Sequence, residues 1–141
     1  MRERFAAHRR WIYLCVAALT VLAGLSARFA PLGLPWVVMK YCGSALWAAM
    51  IYWVLALVWP KGRVATFAAT AGMIATLAEF SRLYHVAWLD AFHASLPGAI
   101  LLGRYFSVRN IVAYWLAILV TAALDGLMLR RLADGALLES N

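Results

Sequence analysis

Charge is what this chain has least of. Only 13% of its 141 residues are Asp, Glu, Lys or Arg, against about 25% in a soluble domain. So few cannot furnish a water-facing surface, which argues against a soluble globular fold. Cysteine is nearly absent too. Cys15 and Cys42 both sit inside apolar runs. In a helical reading they lie on the order of 15 Å apart along the membrane normal, whereas a disulfide needs Cα atoms within about 7 Å. Both are read as small core residues, neither bridged nor ligating. Catalytic signatures are missing as well. No HExxH, GxSxG, phosphate-cradling P-loop or dinucleotide fingerprint occurs, and each of those needs fixed residue types at fixed spacing. His85 and His93 are eight apart, off the i, i+4 pairing of a helical metal site, so neither metal nor cofactor is expected. Ser81-Arg82, His85 and Asp90 are superficially like the third motif of membrane phosphatases. The gaps differ and the companion motifs are missing, so that match is rejected.

What the chain does have is grease. Apolar residues make up 66% and mean hydropathy is +0.80. Four long apolar runs cover residues 11–30, 36–59, 64–84 and 108–129. Each reaches the roughly 20 residues that cross a hydrocarbon core of about 30 Å as a helix, and helices are forced because backbone polar groups in lipid must pair within the segment. The expected fold is all-α: a single polytopic membrane domain of four transmembrane helices, with a re-entrant or interfacial segment between the third and fourth. Pro31, Gly33 and Pro35 break the chain after the first span, and Pro60-Lys61-Gly62-Arg63 makes a tight basic turn after the second. Trp11, Trp36, Trp53, Trp59, Trp88 and Trp115 are expected mostly near the interfaces. A fifth span through residues 86–103 would bury Asp90, His93 and Pro97, and is disfavoured. The basic start followed by an apolar run is like a signal peptide. That run is long and its cleavage site poor, so an uncleaved anchor is expected, and the last ten residues should fray.

A net charge of +7 in a soluble protein would point to nucleic acid. Here the cations flank apolar runs, as membrane anchoring requires, so membrane lipids are the expected partners and nucleic acid is not. Arg2, Arg4, Arg9 and Arg10, then Lys61 and Arg63, then Arg130 and Arg131 fall on one side of a four-span chain. By the positive-inside rule that side is cytoplasmic, with both termini. The expected home is a bacterial inner membrane.

Against that frame some polar residues stand out. Arg28, Lys40, Glu79, Arg82, His85, Asp90, His93, Arg104 and Arg109 all fall at the opposite, extracytoplasmic end. Five Lys and Arg face two carboxylates there, where the rule expects little positive charge. Two like charges about 4 Å apart cost roughly 4 kcal/mol at an effective dielectric of 20, so converging cations invite an anion. Arginine offers paired donors to phosphate or carboxylate. These nine form the candidate ligand-binding set. Asn110, Tyr114, Thr121 and Asp125 make a polar stripe along the fourth span; Gly72, Thr76 and Glu79 do so in the third, Thr20, Gly24 and Arg28 in the first, and Lys40 and Ser44 in the second. Plainer readings exist for each. Glu79 and Arg82 have the spacing of an intrahelical ion pair. Thr and Ser can bond their own helix, Arg104 and Arg109 can touch lipid phosphate alone, and Asp125 can pair with Arg130.

GLSARF in the first span, YCGSALWAAMIY in the second and residues 78–114 resemble a bacterial membrane family known as domain of unknown function 2809, itself distantly similar to the VanZ-like family. The resemblance covers about residues 11–125. Its specific part is Glu79, Leu83-Tyr84-His85, Leu89-Asp90, Gly98, Leu102-Gly103-Arg104, Phe106 and Ala113-Tyr114. The family pattern carries aspartate where Ser44 and Asn110 stand, glutamine at Arg82 and arginine at His93. The resemblance therefore implies a site more basic than the family's, and an envelope setting without a defined reaction. The leading expectation is binding of an anionic envelope ligand, a lipid-linked phosphate or anionic lipid headgroup. Alternatives are a proton-linked transporter or exporter component, which four spans would make difficult without a homo-oligomer, an intramembrane enzyme using His85 or His93 with Asp90, and a membrane scaffold without a ligand.

Overall fold

The computed structural model describes residues 2–29, 33, 35–95 and 106–138. These form helices α1 (Arg2–Phe29), α2 (Trp36–Val58), α3 (Val64–Ser81), the short α4 (Ala87–Ala94) and α5 (Val108–Leu138). No strand occurs among the described residues. Windows in α1 (Arg9–Ala27), α2 (Val37–Val58), α3 (Val64–Ser81) and α5 (Val108–Leu132) are long and apolar enough to cross a membrane. The protein is an all-α, multi-pass membrane protein.

The joints follow local chemistry. Gly33 sits at φ 64, a left-handed conformation that costs glycine little. Pro35, at φ −53, precedes the first residue of α2, where a fixed φ suits helix entry. Between α2 and α3 the amide of Gly62 donates to the Trp59 carbonyl at 2.9 Å, closing a tight turn. α3 ends at Ser81, three residues before the apolar run does. Arg82, Leu83 and Tyr84 donate instead to the carbonyls of Glu79, Phe80 and Ser81, i to i−3 bonds that tighten a last turn.

The helices also outrun the apolar windows. α1 takes in the basic N-terminal stretch from Arg2, and α5 continues to Leu138, where a frayed tail was expected from residue 132. Hydropathy marks the stretch that prefers lipid, but a helix stops only where something breaks it, and Arg, Leu and Ala are good helix formers. The 31 residues of α5 span about 46 Å at 1.5 Å each, well beyond a core of about 30 Å.

α2 lies at the centre, packed on α1, α3 and α5, and α3 also packs on α5. The interior is built from small residues, Ala17, Ala48, Ala56, Ala71 and Ala75, and from aromatics, Tyr13, Tyr52, Trp53, Phe67 and Tyr114. Small side chains let membrane helices approach closely. The aromatics fill the rest edge to face. Tyr52 meets Trp53 at 5.2 Å between centroids and Phe67 at 5.8 Å. Leu19, Leu22, Leu77, Leu116 and Val120 point outward and are more than half exposed, an arrangement that only lipid rewards. Two expectations fail here. Trp53 is in the core and not in an interfacial belt. Cys15 and Cys42 are free, as expected, but exposed on the helix surface and not core residues.

Candidate functional site

The last turn of α3 carries Glu79, whose side chain is fully buried. It survives there because four donors converge on it. Oε1 accepts from the Ser107 amide at 2.7 Å and from Asn110 Nδ2 at 3.1 Å. Oε2 accepts from Tyr114 Oη at 2.7 Å and from Arg82 Nη1 at 2.7 Å. Ser107 immediately precedes α5, so its amide is one of the donors a helix start leaves open. Glu79 thereby places a carboxylate at the positive end of the α5 dipole. Asn110 and Tyr114, one turn apart, share the face that meets it. Arg82 closes the ring, its Nη2 reaching Tyr114 Oη at 3.4 Å. Its side chain is only 6% exposed. The Asn110 Oδ1 atom is buried without a hydrogen-bond partner. The plain ion pair read at Glu79 and Arg82 therefore exists, inside a larger network that ties α3 to the start of α5.

Further along α5, well before its end, stands a second buried carboxylate. Asp125 accepts from Tyr13 Oη at 3.0 Å and from Tyr52 Oη at 2.7 Å. Arg9 Nη2 donates to Tyr13 Oη at 2.9 Å, and its guanidinium lies 5.5 Å from the Tyr13 ring centroid. One carboxylate thus joins α1, α2 and α5, with a cation behind one of its donors. Asp125 turns to these tyrosines, not to Arg130, which is exposed on the following turn.

The polar stripe between the two carboxylates is broken. Ile118 is fully buried on the same face, and the Thr121 hydroxyl donates to its own helix at Ala117 O, 2.7 Å away. Thr20 does the same at Val16 O. In α3, Gly72 lies under the Trp115 indole, whose Nε1 donates to Thr76 Oγ1 at 3.3 Å. Gly24 faces Leu46, and Ser44 is half-buried.

Of the nine ligand-binding candidates, the structure joins Glu79 and Arg82. Lys40 is half-buried with its Nζ 5.7 Å from the Tyr41 ring centroid. His85, Asp90 and Arg109 are exposed, and His85 Nδ1 lies 3.2 Å from Leu83 O. The side chains of Arg28 and His93, and all of Arg104, lie outside the described residues. α4 presents Trp88 at 73% exposure, with Phe92 and the preceding Tyr84 also exposed. Among the described residues no three histidine, cysteine or carboxylate groups gather as metal ligands would.

Sequence reasoning missed Arg9, Tyr13, Tyr52 and the Ser107 amide. A signal for the tyrosines existed: each lies in an apolar run at the depth of Asp125, and a buried hydroxyl needs a partner. Nothing in the sequence marks a backbone amide.

The sequence matches a family described as "Protein of unknown function (DUF2809)" over residues 33–118. The chain belongs to that family. The match takes in every residue around Glu79 and stops short of Asp125, and it leaves α1 outside. No solved structure matches the chain.

Proposed function

We propose that this DUF2809 protein binds an anionic envelope ligand, a lipid headgroup phosphate or a lipid-linked phosphate, at the end of the bundle where Glu79 and Arg82 lie. In this reading that end faces outward from a bacterial inner membrane and both termini are cytoplasmic. The observation that carries it is a charge balance. Glu79 is satisfied internally by Arg82 at 2.7 Å. That leaves Asp90 as the acid at this end of the chain opposite Arg28, Arg104 and Arg109. An anion would relieve that excess, and a headgroup phosphate suits arginine's paired donors. The exposed Trp88, Phe92 and Tyr84 around α4 support an interfacial setting, where amphipathic rings favour headgroup level.

The Glu79 network supplies the rigid floor of this site and not its ligand contacts. Reversing Arg82 would therefore confound folding with binding, and the test belongs to Arg104 and Arg109. Reversal of both to glutamate, followed by mass spectrometry of co-purified phospholipid and lipid-linked phosphate, should strip the bound anion while the protein stays folded. Unchanged co-purification would remove the proposal.

A second reading, a scaffold without a ligand, draws on the internal satisfaction of both buried carboxylates. It predicts full complementation by a variant in which Lys40, Arg104 and Arg109 are all neutral. A proton path along α5 has less support in a single copy, because Ile118 and the self-bonded Thr121 interrupt the polar side chains.

A further inference from the structure

A groove of about 660 Å³ opens between the start of α1 and the end of α2, lined by Arg10, Trp11, Leu14, Leu57 and Val58. We infer that it is a binding site for one anionic phospholipid of the leaflet at the Asp125 end, with the phosphate on Arg10 and an acyl chain along Leu14, Leu57 and Val58. This site lies at the opposite end of the bundle from the one proposed above and stands independently of it.

The spacing on α1 makes the groove amphipathic. Residues 10, 11 and 14 share one helical face, so a guanidinium, an indole and a leucine are stacked along a single wall. Arg9, one position away, is directed to Tyr13 in the bundle, so the two neighbouring arginines serve different surroundings. Arg10 remains exposed at the mouth. The opposite wall is wholly apolar. It leads directly into the tight turn that carries Lys61 and Arg63, both exposed. Positive charge therefore crowns the groove from α1 and stands on the turn at the end of the second wall, while its depth is hydrocarbon.

That distribution matches an anionic phospholipid better than other occupants. A neutral lipid would leave the cations unmatched, since each basic side chain near a membrane surface favours anionic headgroups. A free inorganic anion would not use the apolar walls. A second copy of this chain would have to bring its own acids; Asp125 is buried against Tyr13 and Tyr52, which leaves Glu3, Asp134 and Glu139 near this end in the sequence, beside many more cations. Trp11 at 67% exposure and Val58 at 72% line a surface that the protein leaves open, and Trp11 belongs to the residue type that anchors at headgroup level.

The test is native mass spectrometry of the full chain released from nanodiscs of defined composition, phosphatidylglycerol mixed with phosphatidylcholine. The wild type should retain one phosphatidylglycerol in preference to phosphatidylcholine. Arg10→Gln should lower that preference about fivefold, the share of one basic residue at a membrane surface. Val58→Trp keeps every charge but fills the groove at an exposed position, and should lower retention of both lipids. Both positions are exposed, so folding should survive, and unchanged circular dichroism checks it. Equal retention of the two lipids by the wild type would overturn the inference. So would a preference that survives Arg10→Gln but is lost when Arg109 is neutralised, since the bound lipid would then belong to the other end. A Val58→Trp variant that loses dimers and keeps its lipid would assign the groove to a second copy instead. Lipid retention that falls with Arg10→Gln and does not change when Arg109 is neutralised would remove the proposed function and leave this site standing.

Discussion

Tyr13 and Asp125 are 112 positions apart in the chain and 3.0 Å apart in the bundle. Tyr52 completes the same carboxylate from α2 at 2.7 Å. α1 packs chiefly on α2, so this hydroxyl is its polar tie to α5. Such a tie matters in lipid, where apolar surfaces gain little by meeting each other and hydrogen bonds and close packing must hold the helices.

The first prediction concerns that tie. Tyr52→Phe removes one donor and should cost on the order of 1 kcal/mol, the range of interhelical hydrogen bonds in membranes. Asp125→Leu removes the acceptor for two buried hydroxyls and the carboxylate partnering the Arg9–Tyr13 pair, and should cost about 3 kcal/mol. Denaturant unfolding in detergent measures both. An Asp125→Leu variant as stable as the wild type would show that the network is incidental.

The second concerns Glu79 and Arg82. Glu79→Gln leaves a guanidinium of 6% exposure without its counter-charge, which should cost about 3–5 kcal/mol. Arg82→Gln should cost less, because the Ser107, Asn110 and Tyr114 donors still hold the carboxylate. The double variant should be more stable than the sum of the two losses, by a coupling of about 1–3 kcal/mol. Additive losses within about 0.5 kcal/mol would mean that the pair contributes nothing beyond its separate contacts.

These networks mark where the sequence was legible and where it was not. The four spans could be read because lipid imposes a length and forbids unpaired backbone. The faces carrying Glu79, Asn110, Tyr114 and Asp125 could be read because polar side chains at helical spacing must turn away from lipid. The partners of those residues could not. Asp125 had a cation five residues on in Arg130, and local spacing favours such a pair. The tyrosines prevailed because Asp125 points inward and Arg130 points out, a difference set by packing around α2. Helix ends were misjudged in the same way, since hydropathy reports the solvent a residue prefers and not the conformation it takes. The cations at the Glu79 end were legible as an excess, but spacing alone gave no means to say which of them Glu79 would neutralise.

A third prediction follows from Gly72. A methyl group there would overlap the Trp115 indole, which is held in place by its hydrogen bond to Thr76. Gly72→Ala should therefore force α3 and α5 apart and cost about 1–3 kcal/mol, as overpacking does. Trp115→Leu, which removes the obstructing ring, should recover most of that loss in the double variant. Failure of the rescue would mean that the glycine serves another need, such as backbone approach to α2.

The last prediction fixes which way the bundle stands. Arg9, Arg10, Lys61, Arg63, Arg130 and Arg131 lie at the Asp125 end, in short segments next to the spans, where the positive-inside rule counts most. The Glu79 end carries fewer cations, and Arg82 among them is paired with Glu79. In a chain with both native cysteines replaced, Lys61→Cys should react with a membrane-impermeant maleimide only in inverted vesicles. Tyr84→Cys, at a position 73% exposed, should react from outside in intact cells. The wild-type chain, which keeps Cys15 and Cys42, serves as the control for the chemistry. Cys15 is exposed on a membrane window, so it should resist the impermeant reagent and accept an apolar one. Labelling of Tyr84→Cys from the cytoplasmic side would invert the protein. The Glu79 end and its cationic excess would then face the cell interior, and a ligand confined to the outer envelope could not reach it.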